Sequence, residues 1–152
     1  MSNIKRFSTL IRYFCSINLN TRMAKKTIID ESQLLTDNIV RAIQEKKGDN
    51  IVCLNLKNID TAVTDYFVIC DGTSNTQVSA IKESIEKEVR EALGEKAWHI
   101  EGTDNAEWIL MDYVNVVVHI FQRETRDFFN IEGLWADAEI TNIPSIKITF
   151  QL

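Results

Sequence analysis

The turn Gly72-Thr73-Ser74, set between an apolar run and a helical pattern, is the segment best placed to do chemistry. Backbone N–H groups at the start of a helix can hold a phosphate. Magnesium-dependent nucleotidyl transfer on such a turn needs one thing more: two acids flanking a single residue on the next strand, so that both carboxylates share a face and a metal. Glu83, Glu86 and Glu88 follow Ser74 but lie on a helical pattern, while Asp112 has Val114 where a second carboxylate would be needed. The turn is therefore present without its metal-binding pair, and the expectation is no catalytic residue, no metal and no cofactor. His99 and His119 stand singly in strand-like segments, without the clustered ligand spacing of a metal site, and read as core or surface residues. No Ser/His/Asp ordering with a nucleophile elbow occurs. Cys15, Cys53 and Cys70 show no pairing pattern; Cys53 and Cys70 fall in apolar runs, where a reduced thiol behaves as a small hydrophobe.

A second kind of chemistry is contact. Trp108, Met111, Tyr113, Phe128, Phe129 and Trp135 concentrate aromatic and soft side chains in the last third of the chain. On a strand, Trp108, Leu110 and Asp112 point one way, and Ile109, Met111 and Tyr113 the other. Both faces then carry large apolar groups, so one covers the core and the other is available to a partner or to a second copy of the chain. For any one of these residues, simple core packing is an equal explanation.

The elements that must position these residues follow from periodicity. Asp30 with Gln33 begins a helix whose apolar positions are Leu35, Ile39, Ala42 and Ile43, and Gly48 is expected to stop it. Ile51 to Leu56 and Tyr66 to Cys70 read as strands, the second a continuous apolar run suited to a central position. Ser74 and Gln77 form a capping pair for a helix with the stripe Val78, Ile81, Ile85, Val89 and Leu93, ended by Gly94. A strand, turn, helix and strand in succession favour a mixed sheet with helices packed on it. Ala97 to Glu101 is a weaker strand. Glu107 to Tyr113 and Val116 to Gln122 form an antiparallel hairpin through Val114-Asn115. Thr125 is expected to cap a short helix that places Phe128, Ile131 and Trp135 on one side. After Glu139 the chain is expected to turn irregular around Pro144, with a further strand from Ile146 to Phe150.

Charge divides the chain in two. Residues 1–26 hold six of the 17 Lys and Arg residues and no acid, leaving 11 basic against 22 acidic side chains from Thr27 onward, a formal charge of −11. Such a body repels phosphate backbones and suits a basic protein partner, so little direct nucleic-acid contact is expected. The basic segment 1–26 reads as a targeting segment or as an over-extended start before Met23, outside a folded domain at 27–140 and a tail at 141–152. No apolar run approaches the roughly 20 residues that span a bilayer, and a cytoplasmic location is expected.

Taken together, several segments resemble the ribosomal silencing factor family, also called the Iojap-like family. They are Thr64-Asp65-Tyr66-Phe67-Val68-Ile69-Cys70, Gly72-Thr73-Ser74-Asn75, Glu101-Gly102, Trp108-Ile109-Leu110-Met111-Asp112-Tyr113, Val116-Val117-Val118-His119-Ile120-Phe121, and Arg126-Asp127-Phe128-Phe129-Asn130-Ile131-Glu132-Gly133-Leu134-Trp135, in order between Ser32 and Ala138. The resemblance implies an α/β fold with a nucleotidyltransferase-like sheet flanked by helices but without the catalytic acids. It also implies binding to protein number fourteen of the large ribosomal subunit, where the small subunit would otherwise dock. Trp108, Asp112 and His119 would then sit in the hairpin region used toward the partner, with Arg126, Glu132 and Trp135 in a closing motif that contacts the partner or braces the fold; Met111 and Tyr113 of the same hairpin are also expected among the partner-binding residues. Two positions depart from the family pattern: Val114 where Gly is usual, and Phe129 in place of Tyr. Two other readings stay open, a magnesium-dependent nucleotidyltransferase-type enzyme and a homodimeric adaptor in large-subunit assembly.

Overall fold

The computed structural model describes residues 30–146. Helix α1 (Glu31–Glu45) leads through a tight turn into strand β1 (Asp49–Asn55) and then β2 (Tyr66–Gly72). Helix α2 (Asn75–Leu93) follows, then β3 (His99–Glu101), β4 (Trp108–Asp112) and β5 (Val116–Gln122). A short helix α3 (Arg123–Phe129), a 3-10 turn (Ile131–Trp135) and strand β6 (Glu139–Ile143) complete the described chain.

The six strands form one mixed sheet in the order β3-β4-β5-β2-β1-β6. Among the described strands only the central pair β2/β5 is parallel; the other neighbours run antiparallel. The parallel pair matches the expected mixed sheet, but the strand directly after α2 goes to the edge as β3, and it is β5 that returns beside β2. The alternation of each strand explains the layering. Ile51 and Cys53, Tyr66, Val68 and Cys70, Ile109 and Met111, and Val116, Val118 and Ile120 face α1 and α2, meeting Leu35, Ile39, Ile43, Val78, Ile81, Ile85 and Val89. The alternate positions Val52, Leu54, Ile69 and Phe121 form a second, smaller cluster with Ile131 on the opposite face. Burial of this kind contributes roughly 25 cal/mol per Å² of apolar surface, which is why the two-faced pattern specifies the register.

Helix ends follow local chemistry with one correction. Ser74 caps α2, its hydroxyl accepting from the Gln77 N–H at 3.2 Å, and Gly94 closes it in the left-handed region at φ 70°. At the end of α1 the left-handed residue is Lys47 (φ 56°), not Gly48. Gly48 donates to the Ile43 carbonyl at 3.0 Å and Lys47 to that of Gln44 at 3.0 Å, the paired bonds of a Schellman cap. Gly48 is needed for space, since a Cβ there would sit 2.4 Å from Ile43 Cγ2.

Further corrections concern the last third. Thr125 lies inside α3, which starts after Gln122 and has no side-chain cap bond. Ile131 is buried and Trp135 partly so, but Phe128 points outward at 83 % exposure. The stretch after Glu139 is not irregular: it forms β6, which extends past the expected domain boundary at 140 and pairs with β1 from Asn55↔Glu139 to Ile51↔Ile143. Of the strand expected at 146–150, Ile146 has no strand assignment, and the remainder lies outside the described residues, as do the segment 1–26 and Cys15.

Candidate docking face

The sheet face that α1 and α2 leave uncovered carries the aromatic residues. Trp108 at the start of β4 stacks on Phe121 of β5 with ring centroids 4.9 Å apart, and Phe129 of α3 lies 4.9 Å from the same indole. Phe67 of β2 meets His119 edge-on at 4.9 Å and Trp135 at 5.5 Å. Around this half-buried floor stand three exposed apolar side chains: Phe128 at 83 %, Leu134 at 76 % and Phe129 at 47 %. Phe128 leans on Phe129 at 5.1 Å. The result is a ridge of aromatic and aliphatic surface on α3 and the 3-10 turn.

The residues expected to meet a partner separate into three groups. Trp108 and Trp135 are partly exposed on this face. Met111 and Tyr113 are core residues on the helix-covered side, at 0 % and 6 % exposure, and correct the expectation that they touch a partner. Asp112, His119 and Arg126 are on or behind the open face but buried, so they shape it from below.

Each of these three has a traceable task. His119 accepts a hydrogen bond at Nδ1 from the Trp108 indole N–H at 3.2 Å, which orients the indole. Burial drives the His119 pKa down to about 3, because the cation has no solvent among the aromatic rings. Its Nε2 has no hydrogen-bond partner, a cost borne by a neutral ring more easily than by a charged one. Asp112 accepts from the Val114 N–H at 2.7 Å and braces the hairpin tip. There Val114 adopts φ 74° while the Asn115 N–H bonds the Tyr113 carbonyl at 3.0 Å, a three-residue γ-turn. A β-branched residue is strained in that region, which glycine adopts freely. The Phe129 ring packs against Trp108 and offers no hydroxyl to a partner.

Arg126 belongs to a charge cluster that sequence reasoning missed. Asp71, at the end of β2 and 1 % exposed, accepts from Arg126 Nη1 at 3.0 Å, Arg123 Nε at 3.2 Å and Asn50 Nδ2 at 2.9 Å. Arg126 also donates to Glu132 at 2.6 Å and to the Asn50 carbonyl at 2.6 Å, while Arg123 reaches Asp49 at 2.9 Å. A register irregularity in β1, with Asn50 at φ 49°, accompanies this arrangement. The cluster ties α3 and the 3-10 turn, which carry the ridge, to the ends of β1 and β2. An Arg pair spaced i, i+3 after a strand, with an acid ending an apolar strand, was its only sequence trace.

The turn at Gly72 is likewise engaged. Gln77 Oε1 accepts from the Thr73 N–H at 2.8 Å and the Thr73 hydroxyl at 3.1 Å, while Gln77 Nε2 donates to the Lys46 and Lys47 carbonyls. Among the described residues no group of three or more His, Cys, Asp or Glu is placed to hold a metal, and no helix is long and apolar enough to cross a membrane. His99 is exposed and paired with Glu101 at 2.7 Å. Cys53 and Cys70 are buried free thiols, and burial raises both pKa values, that of Cys53 to about 12.

Fold and site define a small mixed α/β domain with helices on one sheet face and an aromatic ridge on the other. The chain belongs to the ribosomal silencing factor family: the family model "Ribosomal silencing factor during starvation" matches residues 29–151. It is 36% identical over 115 residues to the Ribosomal silencing factor RsfS of Halalkalibacterium halodurans, covering 76% of this chain and 97% of that one. It is 38% identical over 102 residues to the protein of the same name from Bacillus subtilis, covering 67% and 85%. A crystal structure of a Chromobacterium violaceum protein superposes with a TM-score of 0.65 at 28% identity, covering 76% of this chain and 95% of that one.

Proposed function

We propose that this chain is a non-enzymatic silencing factor of the cytoplasm that seats its aromatic ridge on protein number fourteen of the large ribosomal subunit and so keeps the small subunit from joining. The observation that carries this reading is the ridge itself: Phe128, Phe129 and Leu134 stand exposed around Trp108 and Trp135 on the face that α1 and α2 leave open. A monomer gains nothing from exposing such a cluster, whereas a partner that buries it gains hydrophobic free energy. The excess of 22 acids over 11 basic residues from Thr27 onward favours a cationic protein and disfavours ribosomal RNA as the main contact. Occlusion asks for no chemistry. A rigid domain with an interface of roughly 1,600 Å² needs only to occupy space the small subunit requires.

Trp108 is an imperfect probe, since it also stacks on Phe121 and its loss disturbs the fold beneath. Phe128 and Leu134 are better ones because they are largely solvent-exposed. Leu134→Asp and Phe128→Ala are each expected to weaken binding to purified large subunits by more than about 1 kcal/mol, roughly fivefold, with thermal stability unchanged. Co-sedimentation measures this, and equal recovery of Leu134→Asp and the parent protein with the subunit contradicts the reading.

A further inference from the structure

Strand β6, the last in the sheet order, is bordered by a cleft on each of its faces. On the helix-covered side a groove of about 610 Å³ runs between it and α1, lined by Val40, Cys53 and Ile143 with Asp37 and Glu139 beside them. On the other side a cleft of about 740 Å³ lies between it and α3, where Ile140 and Asn142 face Asp127 and Glu132. The strand also has backbone groups to offer. The Leu56 N–H bonds the Asp65 carbonyl at 2.8 Å, in the register that pairs Leu54 with Phe67 and Val52 with Ile69. Backbone groups of successive residues turn to alternate sides of a strand. These even-numbered residues of β1 therefore face β2, and Ile51, Cys53 and Asn55 face β6. Their partners Ile143, Thr141 and Glu139 point back at β1. The N–H and C=O groups of Ile140 and Asn142 then point away from the sheet, and among the described strands none pairs with them.

Charge selects what fits there. Arg41 is paired with Glu88, Arg123 with Asp49 and Asp71, and Arg126 with Asp71 and Glu132. Among the described residues no Lys or Arg forms an ion pair with Asp37, Asp127 or Glu139. We propose that the outer edge of β6 is a strand-addition site for an extended segment of a cationic protein in which apolar and basic residues alternate. The added strand bonds the backbone of Ile140 and Asn142 and turns its side chains alternately into the two clefts. Its apolar residues rest on Val40, Cys53 and Ile143, and its basic residues reach Asp127 and Glu132. A second copy is the poorer occupant, because it sets two bodies with 22 acids against 11 bases beside each other.

The test is amide NMR on the isotope-labelled full chain, with acetyl-Lys-Val-Lys-Val-Lys-Val-amide as probe and its Glu-Val counterpart as control. No ribosome is present, so the outcome is separate from that of ridge docking. The Ile140 and Asn142 amides should exchange quickly with solvent in the free chain. The Lys peptide should slow that exchange and shift the signals of residues 139–143, and the Glu peptide should do neither. Asn142→Pro deletes an outward N–H without removing a bond to β1, as an edge strand tolerates, and should abolish the shifts. Asp127→Asn should weaken binding by roughly threefold. Slow exchange at Ile140 and Asn142 in the free chain overturns the proposal: the edge is then held by the chain itself or, where protection rises with protein concentration, by a second copy. Absence of shifts with the Lys peptide, equal binding of the two peptides, or undiminished binding by Asn142→Pro or Asp127→Asn overturns it as well.

Discussion

His119 and Trp108 show how a single buried residue sets the properties of an exposed face. The imidazole is neutral because its surroundings are aromatic, and a neutral ring offers Nδ1 as the acceptor that holds the indole. The linkage has a definite sign. Above pH 6.5 the ring is neutral in both folded and unfolded chains, and it costs nothing. Between 6.5 and about 3 the unfolded chain takes up a proton that the folded one refuses, so stability falls as pH falls. From pH 7 to pH 5 this residue alone should remove about 2 kcal/mol. His119→Asn keeps an acceptor without titrating, so its stability should fall less by about that amount in urea denaturation at the two pH values. Val114 makes a second prediction at this scale. Replacing it with Gly relieves the γ-turn strain at φ 74°, partly offset by the greater freedom of Gly in the unfolded chain. A net gain of about 0.5–1 kcal/mol is expected, read as a higher urea midpoint at unchanged slope.

Among the elements, α3 with its 3-10 extension carries the exposed ridge and is only lightly anchored by apolar burial. Ile131 is the one buried apolar residue it contributes; Trp135 on Phe67, Phe129 on Trp108 and the charge cluster around Asp71 supply the other tethers. Arg126→Met removes bonds to Asp71, Asn50 and Glu132 at once and is expected to cost about 3 kcal/mol, because a carboxylate only 1 % exposed loses a cation. Differential scanning calorimetry checks the magnitude. The elements were unequally legible in the sequence. The apolar run 66–70, the hairpin through Val114-Asn115 and the α2 stripe were readable because local period and turn chemistry specify them. β6 was not: Glu139 to Thr141 are exposed edge residues, and what makes them a strand is the neighbouring edge of β1, more than 80 residues earlier. The charge cluster escaped for the same reason, since Asp49, Asp71, Arg123, Arg126 and Glu132 meet only after the sheet has formed. Likewise, period 2 showed that the hairpin had two apolar faces, but could not say which one the helices would take. Met111 and Tyr113 therefore read as contact residues until α1 and α2 claimed their side.

At the scale of the whole molecule, helices pack on one sheet face and the ridge stands on the other, in a body with twice as many acids as bases. Large apolar anchors in a field of negative charge suit recognition of a cationic protein, where long-range attraction speeds encounter and the buried aromatic contacts set residence time. Added salt should therefore slow association more than it speeds dissociation. The most direct measurement of the central claim is subunit joining itself. Purified large and small subunits are mixed at magnesium concentrations that favour association, with and without the protein, and followed by light scattering and gradient sedimentation. The protein is expected to hold the subunits apart in proportion to its occupancy of the large subunit, and Leu134→Asp to need a several-fold higher concentration to do so. Full joining while the protein remains bound to the large subunit would contradict it.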